Sequence, residues 1–146
     1  MSVDGGRNEA HLTVRDGPLA APVLGRVVGM LAARADCPID RLDDALLIAD
    51  AIAARAGSYS ADDGRIGVLV TAQTGAVELN IGPLREDGAQ ELIASAELPG
   101  IGNVLKRVAD ELLPECHNSH GEYLRIRMAF GAAARASKTT GGTDAT

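Results

Sequence analysis

Four short constellations in this chain have residue types that could do chemistry. Gly100-Ile101-Gly102 precedes the apolar run Asn103-Val104-Leu105-Lys106-Arg107-Val108-Ala109-Asp110. Two glycines at the mouth of a helix let backbone N–H groups approach an anion, and the helix N-terminus favours negative charge. Asp50 stands on an acidic helix-like stretch, with Ala54 four residues on, one helical turn away. Asn80-Ile81-Gly82 closes an alternating run. Cys116-His117-Asn118-Ser119-His120 puts Cys116, His117 and His120, all metal-ligand types, in one short loop. That spacing is not a standard zinc pattern, and histidines in a polar loop are more often simply solvated.

The patterning predicts elements to hold these groups. His11–Arg15 alternates and reads as a strand. Asp16-Gly17-Pro18 is a turn, with Asp16 placed to cap a helix over 19–35. On that helix Leu19, Val23, Val27, Met30 and Leu31 share one face. Asp40 is a plausible N-cap for a second helix over 41–56, whose broad stripe is Leu42, Ala45, Leu46, Ala49, Ile52 and Ala53. Asp43, Leu47, Asp50 and Ala54 form a separate flank. It reads either as a solvated edge or as the lining of a cleft.

Ile66, Val68 and Val70, then Val77, Leu79 and Ile81, read as an antiparallel hairpin turning near Gly75. A short helix starts near Asp87-Gly88. The helix after Gly102 carries Val104, Leu105, Val108, Ala109 and Leu112 on one face, with Pro114 as its stop. Tyr123–Met128 is the last strand. Residues 1–8 and 131–146 lack periodicity and read as disordered, leaving one domain over 9–130. Strand, two helices, hairpin, irregular segment, helix and strand predict an α+β fold. It is a two-layer α/β sandwich with helices on one face of a mixed, mostly antiparallel sheet.

Composition narrows the function classes. The chain has 146 residues, a net charge of −6, no Trp, two Tyr and one Phe. Scattered basic residues and few aromatic platforms argue against direct nucleic-acid binding. No apolar run reaches membrane-spanning length, and the polar N-terminus lacks a signal-peptide stretch. Cytoplasmic location is the resulting expectation, with Cys37 and Cys116 as reduced thiols.

The order of elements and three motif positions resemble the histidine-kinase-like ATPase superfamily over about residues 12–128. The small anti-sigma-factor serine kinases and related regulatory ATPases are the nearest type. Leu42–Ile52 looks like the family's first conserved helix, where a glutamate acts on the attacking group and an asparagine four residues on holds Mg²⁺. Asp50 falls at the first position and Ala54 at the second. Asn80-Ile81-Gly82-Pro83-Leu84 stands where the family has an aspartate and two spaced glycines for adenine. Asn80 and Gly82 match in part, and Leu84 replaces the second glycine. Gly100 and Gly102 match the glycine pair that meets phosphates.

The resemblance implies ATP and Mg²⁺ as possible cofactors, Asp50 as the catalytic position, and Asn80, Gly82, Gly100 and Gly102 as cofactor-binding positions. It implies a protein partner, either a sigma factor or an anti-sigma-factor antagonist, and a possible homodimer. Because a methyl group at Ala54 cannot ligate a metal, the leading expectation is a regulatory module that binds a protein partner with ATP binding weakened or lost. The alternative is an active Mg-ATP-dependent kinase that phosphorylates a serine on the antagonist.

Overall fold

The computed structural model describes residues 7–117, His117 by its backbone alone, and 120–131. The chain runs β1 (Asn8–Arg15), α1 (Ala20–Arg34), α2 (Ile39–Arg55), β2 (Arg65–Gln73), β3 (Ala76–Leu84), α3 (Gly88–Ser95), β4 (Glu97–Leu98), β5 (Gly102–Asn103), α4 (Val104–Val108), β6 (Glu111–His117) and β7 (Gly121–Ala129). A five-stranded sheet has the order β1-β2-β3-β7-β6, and β4 pairs with β5 in a small second sheet. Every pairing is antiparallel, so the sheet is not mixed as expected. The fold is α+β in two layers.

Alternation along the strands divides the sheet into two unlike faces. Ile66, Val68 and Val70 of β2, Val77, Leu79 and Ile81 of β3, and Leu124, Ile126 and Met128 of β7 are buried. They form one core with Leu24, Val28 and Leu31 of α1 and Ala45, Ile48, Ala49 and Ile52 of α2. Full burial of each large aliphatic contributes about 1.5–3 kcal/mol. Among the described residues no polar or charged residue is buried as a whole. Among the described residues the other face carries no helix. It holds His11, Thr13, Gly67, Leu69, Glu78, Asn80, Tyr123, Arg125 and Arg127, and ion pairs cross it. Arg125 pairs with Glu78 and Glu115, and Arg127 with Glu111.

Several expectations shift. On α1, Leu19, Val23 and Met30 are exposed, while Ala20, Leu24, Val28, Leu31 and Ala32 turn inward. The buried arc is rotated by one residue, about 100° around the axis. The reason is size: alanines sit where helix and sheet come close, so the largest side chains do not mark the inner face. Leu46 of α2 is likewise 37% exposed. Asp16 and Asp40 do not cap. The N-cap positions are Leu19 and Pro38, and neither makes a side-chain cap bond. β1 begins at Asn8, inside the segment read as disordered, and residues 1–6 and 132–146 lie outside the described residues.

The largest difference follows Gly102. The helix α4 has five residues and does not reach Leu112. Ala109 turns extended (φ −78°, ψ 142°), and Asp110 N–H donates to the Arg127 carbonyl at 2.8 Å. The sheet therefore captures the chain, and β6 pairs with β7 from Glu111 onward. Pro114 lies inside β6 instead of stopping a helix. It is tolerated because β6 is an edge strand, where a missing N–H can face solvent.

Candidate functional site

The flank of α2 does line a cleft. Leu47, Asp50, Ala51, Ala54 and Arg55 face Ala96, Leu98 and Val104 across a cavity of about 190 Å³. Three contacts hold its far wall. Arg55 Nε donates to the Ser95 carbonyl at 2.9 Å, joining α2 to the end of α3. Val104 N–H donates to the Ala96 carbonyl at 3.0 Å. Asn103 Nδ2 donates to the Ile93 carbonyl at 2.7 Å. Asp50 and Ala54 are both exposed at the mouth. Asp43 is exposed on the same flank, but it does not line the cavity.

Gly100, in the turn after β4, and Gly102, the first residue of β5, lie between Leu98 and Val104 in the chain, yet neither lines the cavity. Their backbones have φ +77° and +90°, and a Cβ at either would meet nothing within 4 Å. Conformation explains these glycines: a β4–β5 turn closed by Ile101 N–H to the Leu98 carbonyl at 3.1 Å. The helix beyond is too short to sum a useful dipole. Its N-terminus is already capped, since Asn103 Oδ1 accepts from Lys106 N–H at 3.1 Å. Arg107 is also engaged, donating from Nη1 to the Ile101 carbonyl at 3.0 Å. In the loop that reads as a phosphate cradle, the Ile101, Val104 and Lys106 N–H groups are thus taken by its own chain.

Asn80 and Gly82 are not brought to Asp50. Leu79 and Ile81 point into the core, so Asn80 belongs to the uncovered face, on the far side of the sheet from α2. There it lines a trough with His11, Thr13, Gly67, Gly82 and Tyr123. Asn80 Oδ1 is buried without a hydrogen-bond partner. Sequence reasoning missed this trough, because it depends on register. Thr13 lies beside Gly67, Gly67 beside Gly82, and Leu69 beside Asn80. Period-two alternation gives the face of each residue but not its neighbour on the next strand.

Two further signals resolve. Cys116 is exposed, and the side chain of His117 with Asn118 and Ser119 lies outside the described residues. Among the described residues no group of three or more His, Cys, Asp or Glu is placed to hold a metal. Cys37 is half-buried at the α1–α2 junction, where burial pushes its thiol pKa up and Arg41 partly opposes the shift. No helix among the described residues is long and apolar enough to cross a membrane.

Compared with known proteins, the chain matches no family model and no curated protein.

Proposed function

We propose that this chain is a regulatory protein of the histidine-kinase-like ATPase type. It resembles anti-sigma factors and acts by binding a protein partner, a sigma factor or an anti-sigma-factor antagonist, without nucleotide turnover. The observation that carries this reading is the composition of the α2 cleft. Asp50 and Ala54 line this cleft with Leu98 and Val104, and the position to which the resemblance gives the Mg²⁺ ligand is a methyl group. Phosphoryl transfer depends on metal charge stabilisation and positioning. The candidate adenine contact, Asn80, is on the opposite face of the sheet. At about 190 Å³ the cavity is also below the usual 300–1,000 Å³ range of small-molecule pockets.

Partner binding is supported by the outer surface of the helical layer. Val23 is 46% exposed, Met30 58% and Leu19 73%, and their i, i+4, i+11 spacing puts them in one row. Exposed apolar rows of this kind are what protein contacts cover.

The test is calorimetric titration with ATP and ADP, each with and without Mg²⁺, alongside pairwise binding assays against the sigma factors and antagonists of the same genome. The expected result is no Mg-dependent nucleotide binding and retained binding of one such protein. Micromolar Mg-ATP binding with phosphate transfer to an antagonist serine would replace this reading with the kinase one, with Asp50 as its base.

A further inference from the structure

The trough on the uncovered sheet face has a volume of about 350 Å³ and is built differently from the α2 cleft. Its floor is a pair of glycines, Gly67 and Gly82, directly opposed across β2 and β3. A Cβ on Gly67 would stand 3.1 Å from the Gly82 carbonyl oxygen and 3.6 Å from His11 Nε2. One wall is His11 and Thr13 of β1, whose register partners are Leu69 and Gly67. The other is the Tyr123 ring, which occupies the place a Gly82 side chain would take. With Gly82 covered by that ring, the open floor is Gly67, and a surface without a Cβ between an imidazole and a phenol ring suits a planar guest.

The two ends carry polar groups whose capacity the fold does not use. At one end the Asn80 amide oxygen is buried with no partner. At the other, Arg65 lines the trough and has no ion pair among the described residues, although Asp62 lines it too. Arg65 lies four residues from Leu69, the partner of Asn80, which is about 13 Å along the strand. That spacing is long enough for one ring and its acid group between the two residues.

We propose that this trough binds a small aromatic or heteroaromatic carboxylate that carries an N–H donor on the edge opposite its acid group. The ring lies over Gly67, between His11 and Tyr123. The carboxylate meets Arg65, whose planar fork suits it. The Asn80 carboxamide turns about its last torsion, which is broad and roughly two-fold, and its oxygen accepts the ligand N–H. Asp62 opposes the carboxylate and keeps the affinity modest. The inference does not depend on the α2 cleft or on a protein partner.

The experiment is calorimetric titration of the full chain with 4-aminobenzoate, indole-5-carboxylate and uracil-6-carboxylate. Benzoate and aniline serve as controls that each lack one end. At least one of the three probes is expected to bind saturably, about tenfold or more tighter than either control. Arg65→Ala and Asn80→Ala each weaken it about tenfold or more with the unfolding midpoint no lower than that of the parent chain, and Asp62→Asn tightens it. No saturable binding of any probe at millimolar concentration overturns the proposal. So does equal binding of benzoate, or unchanged affinity in Arg65→Ala and Asn80→Ala.

Discussion

An asparagine on an uncovered sheet face ordinarily meets water through both ends of its amide. Asn80 keeps its oxygen buried and unpaired, on β3 between Leu69 of β2 and Arg125 of β7. An unsatisfied buried acceptor costs about 1–3 kcal/mol, and valine also has the better strand propensity. Asn80→Val is therefore expected to raise stability by about 1 kcal/mol in urea denaturation, and a fall would mean that the amide has a partner. Gly82 gives the opposite sign. A Cβ there would stand 2.7 Å from Tyr123 Cε2 and 2.8 Å from the Glu122 carbonyl oxygen. Gly82→Ala is expected to cost about 1–3 kcal/mol by overpacking.

At Cys37 the folded thiol has its pKa raised by burial above the ordinary 9.0. The folded state therefore holds this proton more tightly than the unfolded chain. Its contribution to stability is complete below pH 9.0 and is lost as pH rises through the folded value. Alkylation by iodoacetamide at pH 8 should accordingly mark Cys116 well before Cys37, as peptide mapping would show. Equal rates would contradict the burial of Cys37.

At the scale of elements, the segment from Glu97 to Val108 shows how one residue can anchor a whole loop. Asn103 gives its amide N–H to α3 through the Ile93 carbonyl and takes Lys106 N–H at the start of α4. Asn103→Ala should cost about 1 kcal/mol as a lost cap. It should also speed amide exchange across 97–106 before the rest of the protein opens. Uniform exchange throughout the chain would show that the loop is held by other contacts.

The hairpin β2–β3 and the last strand were legible because strict alternation has no helical competitor. α4 was not. Val104, Leu105, Val108 and Leu112 keep helical spacing whether or not the chain continues as a helix. The decision falls instead to Arg127, whose carbonyl takes the Asp110 N–H from β7, a strand distant in sequence. The flank of α2 was read correctly as a unit, since Asp43, Leu47, Asp50 and Ala54 are all exposed. Which of its members face the cleft was set by α3 and β4, whose positions no local pattern reports. Asn80 was read as part of the same site because its motif neighbours suggested it. Strand parity places it on the other side of the sheet.

At the scale of the molecule, one carboxylate joins the two layers. Asp110 Oδ2 accepts from Ala129 N–H at 2.7 Å and from Arg41 Nη2 at 3.1 Å, linking β7 to α2, while Arg41 also pairs with Asp44 at 2.9 Å. Asp110→Ala should lower stability by about 1–3 kcal/mol, because it strands a part-buried N–H as well as an ion pair. Differential scanning calorimetry would read it, and an unchanged midpoint would show that the layers are held by apolar packing alone. The outer row of α1 predicts the reverse pattern. Val23→Lys with Met30→Lys should leave the melting curve nearly unchanged and abolish binding of the protein partner. Retained binding would move the contact surface elsewhere.

The strand order leaves the sheet with two unlike borders. β6 forms one, and Pro114 removes a donor from it. β1 forms the other, with eight residues and no proline. Growth of the sheet by recruitment of further strands is thus open on one side only. If two copies met along β1, each would consume the other's sole receptive border, and the joined ribbon would end in a proline-bearing strand at both extremities. Such an assembly stops at two. The placement of one proline therefore separates finite pairing from the open-ended stacking that leads to fibrils.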